Sequence, residues 1–525
     1  MSKTFLGKMS AAAIAITATA TILAGCTNNS AGTSASGSND KPVSGGTLIF
    51  ARGGDAGNIV PTEAGGNDSI FVVEQMFDTL LTPSKDGTKL EPSLATDYKQ
   101  SDDQLSWTFN LRKDVKFSDG TNMTAKDVVF SIKTASDPDL PFGFVNEGIK
   151  NVEAVDDYTV KIITKSPWAP LPSDVALFSN AIVPANYGGK SLKEFEKNPV
   201  GTGPFMFKEW KKGQSLSLVK NPHYWKANRP YLDGVTFTTV GEDNTRLMQV
   251  RGGQAHVDEG PSFTTLDSVK KDSSVNVLTF GSSQTDYLIM SNKSKPFKDQ
   301  HVRAAVGHSV DKESIIKAVL NGNGTPANSF LAPTIWGYDK NQKVREYDLD
   351  KAKEELKKSA YPNGFDTTIE VVAGDSGQQT TAQIVQESLK KIGINAKIVT
   401  KDDSAAGNDR VNGTYDMAFT LSTTDISDPD ELVKFVAVES GGANAMRTFF
   451  PDEKITKWAS EAAAATDNDK RLDLYSKIQT EFNEQQPLVP LYYSPNIYIT
   501  SKKLHDFAVN EETGAYLLTD AWIEK

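Results

Sequence analysis

Acidic side chains are concentrated in the stretch LSTTDISDPDEL, residues 421–432. Asp428 is followed by Pro429 and, three residues along, by Glu431, a pattern typical of a helix N-cap, a first-turn proline and a capping box. Asp425 precedes that cap in a Ser/Thr-rich segment, where no local task of this kind accounts for it. Asp425 is therefore the best candidate for contact with a ligand, and the alternative is a solvated loop carboxylate.

The stretch GDSG, residues 374–377, raises the alternative of a secreted serine hydrolase. A nucleophilic serine needs a base within hydrogen-bond reach, and a third group must orient that base. The stretch falls between a predicted strand and a predicted helix, where small residues make a turn. No catalytic residue is predicted, because none of the histidines stands in a recognisable hydrolase context: His223, His256, His301, His308 and His505.

The same histidines give no metal-binding pattern. They lack a spacing such as H-x₃-H, and the chain has a single cysteine, so no Cys partner is available. His301 and His308 are seven residues apart and could share a helix face, where a structural role is expected. The sequence therefore predicts no metal ligand and no cofactor.

The single cysteine, Cys26, closes a typical export signal. Lys3 and Lys8 precede the apolar, small-residue run SAAAIAITATATILAG, which is too short and alanine-rich to favour a permanent membrane span. Leu23-Ala24-Gly25-Cys26 resembles the lipobox of bacterial lipoproteins, which implies that the Cys26 thiol is acylated; the alternative is a small buried hydrophobe. We expect a signal peptide over 1–25 and a flexible Ser/Gly/Asn-rich tether over 26–45.

Composition limits the classes to which the rest of the chain can belong. Hydrophobic residues make up 38% and charged residues 23% of the 525 residues, as in ordinary globular proteins. The formal net charge of −11 argues against a nucleic-acid partner, because phosphate binding needs a basic face. The length predicts two or three domains, and no repeat of solenoid period is present.

Alternating strands and amphipathic helices place the chain in the α/β class. LSWTFNL and DYTVKIITK alternate as half-buried strands do, and TAKDVVFSIKTA opens with the capping pair Thr124 and Asp127. TTIEVVA, the helix QQTTAQIVQESLKKI and INAKIVT form a predicted βαβ unit with Gly393 at the helix C-cap. Such a unit implies a parallel pair of strands.

Four stretches, in this order, resemble solute-binding proteins of oligopeptide and dipeptide ABC importers. They cover LRKDVKFSDGTNMTAKDVVFSI, NPVGTGPFMFKEW, NPHYWKANRPYLDGV and PFKDQHVRAAVGHSVDKESII. Taken singly, their turns, prolines, glycines and aromatic residues shape the backbone and carry no catalytic group. Together, behind a lipobox, they extend the resemblance over essentially the whole mature chain.

The resemblance implies a two-lobed α/β fold of the type II-like periplasmic-binding-protein class, with a β-rich domain inserted in the first lobe. We place lobe I at 46–75, 180–282 and 490–525, the insertion at 76–179 and lobe II at 283–489. Two chain crossings, near Phe280 to Ser283 and Pro487 to Tyr493, would form a hinge about which the lobes close.

The resemblance also gives Asp425 a role, because a matching aspartate in dipeptide binders pairs with the α-ammonium group of the peptide. It implies that the main chain of Leu421 and Thr423 hydrogen-bonds the peptide as an added strand. Two departures are present: Ser422 stands where peptide-binding relatives usually have tryptophan, and VVAGDSGQQ lacks the arginine of the dipeptide binder. A ligand longer than a dipeptide fits this pattern better.

The sequence thus predicts a lipid-anchored, non-enzymatic receptor that captures peptides outside the cytoplasmic membrane by lobe closure. We expect a monomer that delivers its ligand to an ABC permease and ATPase complex and is held on the outer face of the membrane through Cys26, on the periplasmic side if the cell has two membranes. An oligosaccharide, nickel, haem or another solute is the alternative ligand for the same transport role.

Overall fold

The computed structural model describes residues 41–441 and 443–525. The predicted signal peptide, the acylation site at Cys26 and most of the predicted tether lie outside the described residues. Within the described ranges, no helix combines the length and the apolar character that crossing a bilayer requires. The folded region opens with the strand Thr47–Arg52, as the stretch GGTLIFAR predicts.

A mixed sheet forms the first structural unit, and we call it the first sheet. Thr47–Arg52 lies near its middle, parallel to two neighbouring strands, and Leu48 and Phe50 of that strand are fully buried. The described strands, in spatial order, are Val275–Phe280, Asn496–Ser501, Val257–Glu259, Thr47–Arg52, Gly234–Thr239, Ser215–Lys220 and Phe205–Lys211.

A separate antiparallel sheet occupies part of residues 76–179, the range of the predicted insertion. Helix Ala125–Ala135 packs against it and begins with the predicted capping box, in which the Thr124 N–H donates to Asp127 Oδ2 at 2.7 Å. The hairpin Leu81–Pro83 and Leu90–Pro92 precedes the sheet. The sheet strands, in spatial order, are Ala95–Gln100, Ser106–Leu111, Thr159–Thr164 and Ile149–Asp156.

The third large unit, called the second sheet, contains the predicted βαβ element. Phe365–Val372 runs parallel to Ile394–Lys401 along its whole length, and helix Ser376–Lys390 connects the two strands. Gly393 follows that helix with φ +92°, a conformation that glycine adopts without strain. The described strands, in spatial order, are Thr325–Pro326, Leu488–Tyr493, Thr285–Met290, Met417–Ser422, Phe365–Val372 and Ile394–Lys401.

Helices cover both faces of the second sheet. Along Thr285–Met290, Tyr287 and Ile289 enter one hydrophobic core, whereas Leu288 and Met290 enter another, as the period-two geometry of a strand requires. The first core includes helices Pro429–Ala437, Glu453–Ala464 and Asn468–Gln485. The second includes helices Gln300–Ser309, Lys312–Val319, Leu349–Lys358 and Ser376–Lys390.

The chain passes between the first and second sheets at residues 281–284 and again at 494–495. The predicted boundary between 489 and 490 falls inside Leu488–Tyr493, a strand of the second sheet, and the predicted second crossing, Pro487 to Tyr493, ends where the observed passage begins. The apolar run LVPLYYSPNIYIT supplies strands to both sheets, and Ser494-Pro495 separates the two strands. This dipeptide, rather than the start of the run, marks the crossing.

The remaining described elements connect these units. Short pairs near the C-terminus join Leu504–His505 to Trp522–Ile523 and Ala508–Val509 to Tyr516–Leu517. Helix Asp403–Asn412 follows the strand Ile394–Lys401. The other helices and helical turns are Pro61–Glu63, Asn67–Met76, Gly143–Gly148, Leu171–Asp174, Phe178–Asn180, Asn186–Gly189, Leu192–Phe195, Asp243–Arg251, Leu266–Val269 and Pro296–Lys298.

Candidate ligand-binding site

Asp425 lies on the short loop between the strand Met417–Ser422 and the helix Pro429–Ala437. It is half-buried and lines a cavity of about 570 Å³, which helix Asn67–Met76 and the C-terminal segment also line. No hydrogen bond or ion pair from the described part of the chain reaches its carboxylate. The structure therefore leaves the Asp425 carboxylate beside this cavity with no partner among the described residues.

A second carboxylate faces the same cavity. Burial raises the pKa of Asp425 well above its ordinary value, and repulsion from Glu431 and Glu74 raises it further. Burial alone raises the pKa of Glu74 to about 8, and its Oε2 is buried with no hydrogen-bond partner among the described residues. Since burial without a counter-ion disfavours the charged form of a carboxylate, this place favours either a proton or a cationic ligand.

Glu431 holds the loop that carries Asp425. Its Oε2 accepts from the Thr424 hydroxyl at 2.8 Å and from the Asp425 N–H at 3.1 Å. The predicted capping box between Asp428 and Glu431 is therefore wrong, because the Glu431 carboxylate reaches back past the cap to the loop. Glu431 is a positioning residue for Asp425.

Asp428 starts the helix as the sequence predicts. Its carboxylate accepts from the Asp430 N–H at 3.0 Å, and Pro429 occupies the first turn. The same carboxylate receives two bonds from Arg471, at 2.8 and 2.7 Å, in a buried pair that sequence spacing could not reveal. Asp428 therefore has a structural role, as helix cap and as partner of Arg471.

The strand leading to Asp425 has one unpaired edge. Met417–Ser422 pairs along its length with Thr285–Met290, but on its other side only Met417 and Ala418 pair with Phe365–Val372. The Thr424 N–H donates to Ser283, which precedes the partner strand. Because successive N–H groups alternate in direction, those of Leu421 and Thr423 face the unpaired edge.

Ser422 takes no part in lining the cavities. It is 3% exposed, and its hydroxyl lies 2.7 Å from the hydroxyl of Tyr287, a residue of the first core of the second sheet. Leu421, by contrast, is 45% exposed, and Thr423 is half-buried. The alternation of the strand therefore turns Ser422 inward, whereas Leu421 and Thr423 remain accessible.

A central cavity of about 580 Å³ lies beside the two chain crossings. Its lining includes Thr423 from the second-sheet part, Phe71 from the first-sheet part and Asn496 just after the second crossing. It shares Thr513 with the cavity around Asp425. It shares Gly377 with a third cavity of about 410 Å³. The three cavities are therefore neighbours in one series, each sharing at least one lining residue with the next.

The third cavity contains an arginine that the sequence pattern did not reveal. Arg410, on helix Asp403–Asn412, lines it together with Asp375, Gln378 and Leu421. The stretch VVAGDSGQQ itself lacks arginine, as noted from the sequence, but the fold brings one beside it from another helix. A cation is therefore available at the opposite end of the series from Asp425.

GDSG forms a helix start. The Asp375 carboxylate accepts from the Gln378 N–H at 2.8 Å, and Gly374 has φ +87°. Ser376 lines the central cavity, and no histidine of the described chain lines that cavity. His301 instead lies 2.7 Å from Glu355 on the outer helices.

The described part of the chain shows no group of three or more His, Cys, Asp or Glu side chains that could hold a metal ion. His301 and His308 both lie on helix Gln300–Ser309, but they have separate partners. The His308 Nδ1 lies 3.0 Å from the carbonyl oxygen of Glu346, whereas His301 contacts Glu355.

Comparison with known proteins identifies related chains. The sequence profile described as "Bacterial extracellular solute-binding proteins, family 5 Middle" matches residues 89–444. "Heme-binding protein A" of Haemophilus influenzae is 30% identical, covering 80% of this chain and 82% of that protein. "Di/tripeptide-binding protein 1" of Pseudomonas aeruginosa is 29% identical, covering 88% and 92%.

A solved structure shows the same architecture. The periplasmic binding protein DppA of Helicobacter pylori, in complex with the peptide STSA, superposes with a TM-score of 0.82 at 30% identity. The match covers 92% of this chain and 99% of that one. The predicted α/β fold of two-lobed binding proteins is confirmed.

Proposed function

This chain belongs to family 5 of the bacterial extracellular solute-binding proteins, and from that premise we propose that its solute is a peptide bound through its α-ammonium group at Asp425. The protein is a transport binding protein rather than an enzyme, and it acts outside the cytoplasm. The observation that carries the peptide proposal is the half-buried Asp425 carboxylate, which faces a cavity without a partner.

The charges favour an amine. A protonated α-amine offers N–H donors and one positive charge, and a charge-assisted hydrogen bond to a carboxylate is about twice as strong as a neutral one. An unpaired carboxylate in a water-excluding site costs free energy. A ligand that brings a positive charge to Asp425 is therefore favoured. Relatives described as binding di- and tripeptides, and one solved with a tetrapeptide, support the proposal.

The free strand edge would hold the peptide backbone. Main-chain groups of Leu421 and Thr423 would hydrogen-bond to alternate residues of an extended peptide. Because these bonds involve only the peptide backbone, varied side chains would be tolerated. The series of cavities from Asp425 to Arg410 supports a peptide longer than two residues, with a terminal carboxylate directed toward Arg410. This placement is part of the proposal.

Closure would involve two lobes built on the first and second sheets, with the four-stranded sheet inserted in the first. The two chain passages, 281–284 and 494–495, would bend as the lobes meet around the ligand. The closed form of the monomer would then dock on an ABC permease and its ATPase. Domain limits, docking partner and monomeric state are all parts of the proposal.

Membrane attachment would occur through Cys26. The lipobox-like Leu23-Ala24-Gly25-Cys26 supports acylation there, and the Ser/Gly-rich stretch that follows would let the folded body move above the bilayer. Replacing Cys26 by serine should release the protein from membranes and abolish incorporation of labelled fatty acid. Membrane retention and labelling of that variant would contradict the anchor.

Calorimetric titration tests the ligand. We expect a free oligopeptide to bind the purified protein and its N-acetylated form to bind at least about tenfold more weakly, because acetylation removes the ammonium charge. Asp425→Asn should weaken binding of the free peptide by a similar factor, so that the free and N-acetylated peptides bind with equal affinity. Asp102→Asn, at an exposed loop position, is the matched control and should change neither.

Two outcomes would contradict the proposal. Equal affinity of the wild-type protein for free and acetylated peptides would remove Asp425 from its role. Binding of only an oligosaccharide, nickel or haem, each titrated in parallel, would reject peptides as the solute. A series of peptides, each N-methylated at one amide, tests the strand edge separately. If the peptide lies as an added strand, methylation of every second amide should weaken binding, because those N–H groups face the protein.

A further inference from the structure

A fourth cavity, of about 650 Å³, lies on the outer side of the second-sheet part. It is bordered by the end of helix Gln300–Ser309, the start of helix Lys312–Val319, residues 343–346 and the end of helix Asn468–Gln485. It shares no lining residue with the three cavities in series that are described above. Whatever binds here is separate from the peptide site.

The lining of this outer cavity is basic, although the chain as a whole carries a formal net charge of −11. Among its described lining residues, Glu346 is the one carboxylate, and it is largely exposed. Glu346 and Asp348 lie 3.9 and 3.4 Å from the ammonium of Lys351 and offset part of its charge. The cationic lining residues are Lys312, Lys343, Arg345 and Lys351.

Two of these cations, the buried Lys312 and the half-buried Arg345, form no ion pair with a carboxylate of the described residues. Lys312 is 5% exposed, and its ammonium donates to the carbonyl oxygen of Ala327 at 2.6 Å, which uses one of its three N–H groups. Burial, with repulsion from Arg345, lowers the pKa of Lys312 to about 7. Since buried charges in folded proteins are normally paired, Lys312 lacks the anion that such a position requires.

Arg345 is held in place by neutral groups. It donates to the carbonyl oxygen of Asn483 at 2.8 Å, and its Nη1 lies 3.2 Å from His308 Nε2. Because the Glu346 carbonyl near His308 Nδ1 can only accept, the neutral imidazole keeps its proton on Nδ1 and accepts from Arg345 through Nε2. These contacts fix the guanidinium, and the carboxylates of Glu355 and Glu484 attract it without forming an ion pair with it.

Gln486 adds an unused acceptor. It lines the cavity and is 3% exposed, and its amide nitrogen donates to the Leu488 carbonyl at 2.7 Å, which fixes the orientation of the amide. Its Oε1 is buried and receives no hydrogen bond from the described chain. A ligand that pairs with the cations is therefore negatively charged, and one that also reaches the buried Gln486 Oε1 must carry a hydrogen-bond donor.

We propose that the outer cavity binds a hydrogen phosphate group, whose charge pairs with Lys312 and Arg345 and whose P–OH donates to Gln486. Inorganic phosphate and phosphate monoesters share this chemistry. Sulfate has a similar size and shape but carries no proton at neutral pH. The comparison of phosphate with sulfate is therefore the sharpest test of the assignment.

The experiment is calorimetric titration of the purified protein with sodium phosphate, glycerol phosphate and sodium sulfate at constant ionic strength. We expect saturable phosphate binding and at least about tenfold weaker sulfate binding, because sulfate leaves the Gln486 acceptor unpaired. Tighter binding of glycerol phosphate than of phosphate would assign the site to a monoester, and the reverse would assign it to the free ion.

Substitutions locate the binding site. Lys312→Met should weaken phosphate binding at least about tenfold. Lys340→Met, which removes an exposed lysine outside the lining, is the matched control and should leave phosphate binding unchanged. Because Lys312 is buried, Lys351→Met supplies a half-exposed lining variant that should weaken phosphate binding in a folded protein.

Absence of saturable phosphate binding, equal binding of sulfate, or an equal loss in the Lys340→Met control would overturn the proposal. Peptide titration of the same variants should be unchanged, since the two sites share no lining residue. The proposal therefore stands or fails independently of the peptide assignment.

Discussion

At the scale of single residues, the proposed peptide site consists of carboxyl groups that form no ion pair with a cation of the described residues. Burial raises the pKa of Glu74 to about 8 and that of Glu431 to about 7, and it raises the pKa of Asp425 well above the ordinary range. These groups interact, so they titrate as a set rather than singly. Without ligand the set retains protons, and a bound ammonium would displace them.

Peptide affinity should therefore depend on pH. In the free protein the raised pKa of Asp425 keeps the site protonated at low pH, and binding of an ammonium lowers that pKa, so binding releases protons. We expect affinity to rise from about pH 5 to about pH 7 and to fall again above about pH 8, where the peptide amine itself loses its proton. Titrations in buffers of different ionisation enthalpy measure the proton release.

The same pH series includes its own control. The N-acetylated peptide carries no amine, so the rise with pH should be absent or reversed for it. A free peptide whose affinity is flat across this range, with no proton released, would contradict the pairing with Asp425.

Ionisation of Glu74 should lower the free energy of unfolding. Its folded-state pKa of about 8 exceeds the ordinary 4.5, so the folded state holds the proton longer than the unfolded state, and its contribution to stability falls as pH rises between those values. Glu74→Gln imitates the protonated form. We expect its free energy of unfolding to exceed that of the wild type by on the order of 1–3 kcal/mol at about pH 9.

Denaturant unfolding at two pH values checks this. At about pH 4.5 the difference between Glu74→Gln and wild type should shrink toward zero, because both side chains are then neutral in the folded protein. Glu91→Gln, at a half-exposed carboxylate that lines the same cavity, should show little change at either pH. A constant difference at both pH values would indicate a packing effect instead.

At the scale of elements, the site depends on how one strand and one helix meet. Met417–Ser422 supplies the open edge, and helix Pro429–Ala437 supplies Glu431, which holds the loop between them. The start of that helix is in turn fixed by Asp428 and its buried partner Arg471. Asp425 therefore owes its position to contacts that lie behind it, away from the ligand.

The Asp428–Arg471 pair should matter far more than a surface pair on the same helix. Arg471→Met leaves the Asp428 carboxylate buried and uncompensated, and we expect a loss of about 3–5 kcal/mol in the free energy of unfolding. Lys477→Met breaks an exposed pair with Asp473 on the same helix, Asn468–Gln485, and should cost less than about 0.5 kcal/mol. Urea unfolding of both variants gives the comparison, and similar losses would refute it.

Local patterns predicted the elements well, and distant contacts explain what they missed. The capping pair Thr124 and Asp127 and the βαβ unit around Gly393 depend on neighbours in sequence, and both are confirmed. Glu431 has the spacing of a capping-box residue, but in the fold its carboxylate accepts a hydrogen bond from the Asp425 N–H instead. Arg410 was missed because only the parallel strands bring its helix beside Asp375.

At the scale of the whole molecule, the parts built on the two sheets meet at more than the chain crossings. The Lys434 ammonium, on helix Pro429–Ala437, lies 2.6 Å from Glu147 and 4.1 Å from the ring centre of Trp168, both within residues 76–179. Beside it, the Ala169 N–H donates to the Ala463 carbonyl at 2.8 Å. These contacts join the four-stranded-sheet region to the second-sheet part.

Such contacts should stabilise the closed form around a ligand. Glu147 is more than half exposed, so Glu147→Gln removes the ion pair without leaving a buried charge unpaired. We expect the peptide dissociation rate to rise about two- to fivefold and the association rate to change little, since a surface-accessible pair contributes up to about 1 kcal/mol. Glu153→Gln, which removes an exposed carboxylate on a strand of the four-stranded sheet, is the control and should change neither rate. Stopped-flow peptide release from both variants makes the measurement; an unchanged dissociation rate in Glu147→Gln would show that closure does not depend on this contact.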